Sequence, residues 1–114
     1  MYKEEWEKGL NAKALEEVKG IVVNWVQYYS DNKDKELKTN ILARELTRLQ
    51  DSGLIHRWNL RFMNNLLELH FIITEAIVEY TVFVWNNKKI EIFMLPFGEG
   101  LPRFIWSNEG VNYE

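Results

Sequence analysis

Cysteine is absent from the 114 residues, which excludes a disulfide framework, a thiolate metal site and a thiol nucleophile. That absence fits a reducing compartment. Proline occurs twice and glycine six times, and no Pro/Gly/Ser-rich linker, low-complexity stretch or internal repeat divides the chain. Long apolar runs are missing too. Nothing approaches the roughly 18 apolar residues of a membrane span, and Met1-Tyr2-Lys3-Glu4-Glu5 is charged with no apolar segment behind it. The expected address is therefore the cytoplasm, with no membrane partner. Histidine appears only as His56 and His70, and serine only as Ser30, Ser52 and Ser107. With no G-x-S-x-G, Walker or H-E-x-x-H pattern, no catalytic or cofactor-binding constellation is readable, and a non-enzymatic protein without a cofactor is expected. Gly98-Glu99-Gly100 lies between two prolines, is too short to cradle phosphate, and reads as a loop.

What is present suits one packed domain over residues 1–114. Hydrophobic residues make up 46% and charged residues 27%, which is too apolar for a disordered chain. A chain of this size has room for one core and buries about two-thirds of its unfolded surface. The net charge of −3 is unevenly placed: ten Lys/Arg stand against ten Asp/Glu through residue 57, and four against seven from 58 onward. Clustered cations that neutralise phosphates carry non-specific nucleic-acid binding, so this balance makes nucleic acid the less favoured partner. The five tryptophans suit either a core or a protein interface.

The hydrophobic period changes near Gly53 and separates a helical part, about 11–53, from a sheet part, about 55–106. Leu15, Val18, Val22, Trp25, Val26 and Tyr29 recur at three- and four-residue steps, which predicts a helix over about 11–30 with Asn11 as its cap. Gly20 inside it suggests a close helix contact or a kink. After the polar break Asp31-Asn32-Lys33-Asp34, Leu37, Ile41, Leu42, Leu46 and Leu49 predict a second helix over about 35–52. Gly53 is placed for a left-handed residue just past that helix, and Leu54 for the hydrophobic contact of a Schellman ending.

Beyond Gly53 the period becomes two. His56, Trp58, Leu60 and Phe62 form one strand, Asn64-Asn65 a turn, and Leu67, Leu69, Phe71 and Ile73 the next, with Arg61 facing Glu68. A further hairpin runs from Val78–Val84 through Asn86-Asn87-Lys88 into Ile90–Met94, and Phe104–Trp106 adds a short last strand. A rival reading makes 60–79 a third helix, because Leu60, Met63, Leu67, Phe71 and Val78 also fall near one helical face. The fold class expected is α+β: two N-terminal amphipathic helices packed on one face of a four- to five-stranded antiparallel meander.

Strand alternation also sorts side chains into faces. The apolar face holds Trp58, Leu60, Phe62, Leu67, Leu69, Phe71, Val78, Tyr80, Val82, Val84, Ile90 and Ile92, and is the one expected under the helices. The other face is polar around Arg57, Asn59, Arg61, Glu68 and His70, but carries Phe83, Trp85 and Phe93 beside Glu79, Thr81 and Glu91. Three fully available aromatics present about 450 to 700 Å². Either a partner covers them, or the chain's own ends do, through Trp6 and Leu10 or through Phe104 and Trp106. The functional reading assigns protein binding to Phe83, Trp85, Phe93, Glu79 and Glu91. The partner is another protein with a basic surface, or a second copy of the chain through this face. Glu68, His70, Glu79 and Glu91 read as a solvated polar strip, with no metal site. Small, cysteine-free, acidic domains rich in Asn, Lys and Ile are of the kind that phages and mobile elements use as inhibitors and toxin systems use as immunity proteins.

An alternative comes from Ile41-Leu42-Ala43-Arg44-Glu45-Leu46-Thr47-Arg48-Leu49-Gln50-Asp51-Ser52-Gly53-Leu54-Ile55. This run resembles the recognition helix and following strand of winged-helix DNA-binding domains, with 56–73 as the wing. The resemblance covers about a third of the chain and lacks the short positioning helix that precedes a recognition helix. From Lys33 to Arg61 seven basic residues stand against four acidic ones. The resemblance implies nucleic-acid contacts through Lys38, Arg44, Arg48 and Arg57.

Overall fold

The computed structural model describes residues 10–29, 35–63, 66–73, 78–85, 87–96 and 100–108. Two helices, α1 (Leu10–Tyr29) and α2 (Lys35–Asp51), precede five strands: β1 (Ile55–Met63), β2 (Leu66–Ile73), β3 (Val78–Trp85), β4 (Ile90–Pro96) and β5 (Arg103–Ser107). The fold is α+β. The chain divides into a helical unit, which runs through His56 and includes Ile73, and a sheet unit built from Arg57 onward. Among the described residues no helix is long and apolar enough to cross a membrane.

In the helical unit, Ala14, Leu15, Val18, Val22, Trp25 and Val26 are buried along α1, and Leu42, Leu46 and Leu49 along α2, each set at the three- and four-residue spacing of one helix face. The Trp25 indole Nε1–H donates to the Lys38 carbonyl at 2.8 Å and ties the two helices together. Two local expectations are corrected. Leu10 is already helical, so Asn11 lies inside α1 and is not its cap. Gly20 is exposed, and among the described residues no other part of the chain lies within 4 Å of where its Cβ would sit, so no close helix contact explains it. The end of α2 is as expected. Gly53 has φ +87°, its N–H reaches the Gln50 carbonyl at 3.0 Å, and the Leu54 N–H reaches Leu49 at 3.1 Å. These are the two bonds of a Schellman motif.

The sheet is an antiparallel meander in the order β1-β2-β3-β4-β5, and the helical reading of 60–79 gives way to it. Burial alternates strictly along β2, which a helix through the same residues would not produce. The first turn, Asn64-Asn65, lies outside the described residues. Leu67, Leu69, Phe71, Ile73, Tyr80, Val82, Val84, Ile90, Ile92 and Met94 are buried, with Phe71 stacked on its β3 partner Tyr80 at 5.2 Å. The apolar side of β1 departs from expectation, because Trp58 and Leu60 are only half-buried and Phe62 is exposed. Arg61 does not pair with Glu68. Its guanidinium lies 3.7 Å from Met63 Sδ, and Glu68 binds His70.

Candidate functional site

The face opposite the buried one is built by the odd positions of β3 and β4. Register sets Thr81 opposite Phe93 and Phe83 opposite Glu91, while Glu68 and Leu66 of β2 lie opposite Phe83 and Trp85. The three expected aromatics are brought together. Phe83 lies 6.3 Å from Trp85 and meets Phe93 edge-on at 5.6 Å. A fourth ring, Phe104 of β5, meets Phe93 edge-on at 5.6 Å and continues the row across three strands. Edge-to-face pairs at this spacing are the favoured aromatic geometry.

Phe104 extends this face rather than covering it: it is 54% exposed and Trp85 40% exposed, whereas Phe83 and Phe93 are half-buried. The exposed parts of Trp85 and Phe104 come to roughly 200 Å² on the usual area per aromatic side chain. That is less than the expectation for three free rings, because the rings pack on one another. The signal for Phe104 was hidden by an irregularity. The β4–β5 register shifts between Ile92 and Phe93, so that Ile92 pairs with Trp106 but Phe93 pairs with Phe104. Plain alternation would have placed Ile105 there instead. Trp106, opposite Ile92, belongs to the apolar side. Trp6 lies outside the described residues, as does the side chain of Leu10.

The two acidic residues assigned to this face differ in availability. Glu91 is engaged at both oxygens: the Trp85 indole N–H donates to Oε1 at 2.8 Å, and Lys89 Nζ lies 3.5 Å from Oε2. It anchors the Trp85 ring rather than offering a free charge. Glu79 is freer, at 3.8 Å from His70 Nδ1 and 44% exposed.

No known protein family, curated protein or solved structure matches the chain.

The polar end of the same face is ordered around His70. The ring Nε2 lies 3.0 Å from Glu68 Oε1 and Nδ1 lies 3.3 Å from Thr81 Oγ1. At these distances Nε2–H can donate to the Glu68 carboxylate while Nδ1 accepts from the Thr81 hydroxyl. Carboxylate, imidazole and hydroxyl in that order match a nucleophilic relay in composition only. Thr81 is held mid-strand opposite Phe93, and the open depression of about 560 Å³ beside His70 is lined by Arg57, Asn59, Arg61 and Glu79 but not by Thr81. The arrangement orders a polar strip. Among the described residues no group of three or more His, Asp or Glu side chains could hold a metal ion.

The four basic residues of the winged-helix resemblance are distributed over both units. At 100° per residue, Arg44 and Arg48 lie about 40° apart on α2 and Lys38 about 80° from Arg48. Arg44 and Arg48 are exposed, and Arg48 is paired with Glu45 at 3.0 Å. Arg57 is exposed on β1. The residues expected to form a wing are the first two strands of the five-stranded sheet.

Proposed function

We propose that the chain is a non-enzymatic protein-binding module of the cytoplasm whose contact surface is the row Trp85, Phe83, Phe93 and Phe104. The observation that carries this reading is the exposure of Trp85 and Phe104 at the two ends of one continuous ring row. A few aromatic anchors supply most of the affinity in protein interfaces, and Trp leads among them. The indole is also held in one orientation by Glu91, which lowers the entropy lost when it enters a pocket. Glu79 and the acidic surplus beyond residue 57 favour a partner with a basic surface. The opposite, buried face is the one that the sequence pattern assigns to the helices. Occlusion of a partner's surface, as a phage or mobile-element inhibitor or an immunity-type protein does it, is the role that this surface and the composition suit.

The test is capture of partners from host lysate by the tagged chain, with and without nuclease, beside the Trp85→Ala variant. The expected result is a nuclease-resistant, near-stoichiometric protein partner whose affinity falls by about 2 kcal/mol in the variant, with its circular dichroism unchanged. Recovery that disappears with nuclease would instead favour the winged-helix reading through Arg44 and Arg48. Self-association weakened by the substitution would make the partner a second copy. Loss of folding in Trp85→Ala would return Trp85 to the core and overturn the proposal.

A further inference from the structure

The two edges of the sheet are guarded very differently. Strand β5 has five residues, follows Pro102 and carries the register irregularity against β4. Short length, proline and bulges are the devices that keep an edge from recruiting another strand. Strand β1 has nine residues, Ile-His-Arg-Trp-Asn-Leu-Arg-Phe-Met, with no proline, glycine or lysine. Among the described residues no strand lies beyond it. His56, Arg57, Asn59, Arg61, Phe62 and Met63 are exposed along it. Among the described residues, then, its outer N–H and C=O groups are those of an edge that no further strand covers.

Charge decides what such an edge accepts. Alternation puts Arg57, Asn59 and Arg61 on one side of β1, where all three line the depression beside His70. Among the described residues neither guanidinium has a carboxylate partner. The two arginines stand about 13 Å apart at the usual rise per residue. A second copy pairing antiparallel along the whole strand would place Arg57 opposite Arg61 twice, and like charges directly opposite are destabilising. Nucleic acid matches the arginines but offers no alternating donors and acceptors to a strand edge.

The geometry points to an extended acidic segment of another protein, added antiparallel to β1 as a sixth strand, with acidic side chains four residues apart opposite Arg61 and Arg57. Main-chain hydrogen bonds hold such a strand, and alternate side chains select it. This surface is separate from the aromatic row and does not depend on its reading.

The probe is the blocked synthetic peptide Val-Glu-Val-Thr-Val-Glu-Thr, fluorescently labelled and titrated into the full chain, with anisotropy as the readout. The expected result is saturable binding, with amide exchange in residues 55–63 slowed on binding. Affinity should fall at least tenfold for the same peptide with both Glu replaced by Lys, and equally for one N-methylated at alternate residues, which cannot complete the ladder. The R57E/R61E variant, changed at exposed positions only, should reverse the preference towards the Lys peptide. If that variant fails to fold, the N-methylated and Lys peptides still decide the matter on the unaltered protein. Absence of binding, equal binding of either control peptide, or a dimer that R57E/R61E dissociates would overturn the proposal.

Discussion

Tyr80 is the most completely enclosed polar side chain of the sheet, at 0% exposure, and its burial pushes the phenol from 10.0 up to about 12. A phenol ionises by losing its proton, so the unfolded chain ionises first as pH rises. Stability from this group is therefore intact below about pH 10 and is lost as pH climbs from about 10 to about 12. The loss amounts to roughly 2 to 3 kcal/mol for a shift of that size. The difference between the native chain and Tyr80→Phe in urea unfolding should change over that window and stay level below it. A difference already changing at pH 8 would contradict the assignment. At the candidate site the same scale of detail matters. Trp85, Phe83 and Phe93 were readable from alternation, because odd positions of a strand share a face whatever the sheet does. The engagement of Glu91 by Trp85 and Lys89 was not, since all three lie around a turn whose shape alternation does not specify.

Among elements, the β3–β4 turn shows how a local conformation is held. The Trp85 N–H reaches the Lys89 carbonyl and the Lys88 N–H reaches Trp85, both at 2.9 Å. This closes a three-residue loop with Lys88 in the left-handed region at φ 72°, the position such loops usually give to glycine. Asn87 Oδ1 accepts the Lys89 N–H at 3.1 Å, and the Asn108 side chain bridges Ile90 N–H and Lys88 O at 2.9 and 3.0 Å. A lysine there costs about 1 kcal/mol relative to glycine. Lys88→Gly should stabilise the chain by about 0.5 to 1 kcal/mol in chemical denaturation, less the added entropy of the unfolded glycine. A destabilised variant would mean that the Lys88 side chain contributes more than its backbone strain removes. Helix boundaries were legible to within a residue, because the apolar stripe and Gly53 mark them. The Asn11 cap was not, because Leu10 before it is already helical and leaves Asn11 no place outside the helix.

At the scale of the molecule, 114 residues allow one core of ordinary size, and a unit below about 60 residues buries so little surface that its stability alone is marginal. Helical and sheet units are therefore expected to unfold in a single cooperative transition. Far-UV circular dichroism and tryptophan fluorescence should give coincident midpoints in urea. Two separated transitions would show that the units described on either side of His56 fold independently, and would overturn the single-domain expectation.

The sequence by itself determined the α+β class, the two helices, the Schellman stop at Gly53 and the sorting of β3 and β4 into an apolar and a mixed face, while the structure settled 60–63 and 66–73 as strands rather than a third helix. Each of the former follows from a period of 3.6 or 2 and from glycine's access to positive φ, which are properties of neighbouring residues. Only the tertiary structure decided that Phe104 joins the aromatic row, because the shift between Ile92 and Phe93 replaces Ile105 by Phe104 at that register. It alone decided that Glu68 belongs to His70 rather than to Arg61, and that the β5 edge is irregular against β4. The irregular β4–β5 register and the choice between competing partners for one side chain depend on contacts across strands, which alternation within a single strand does not encode.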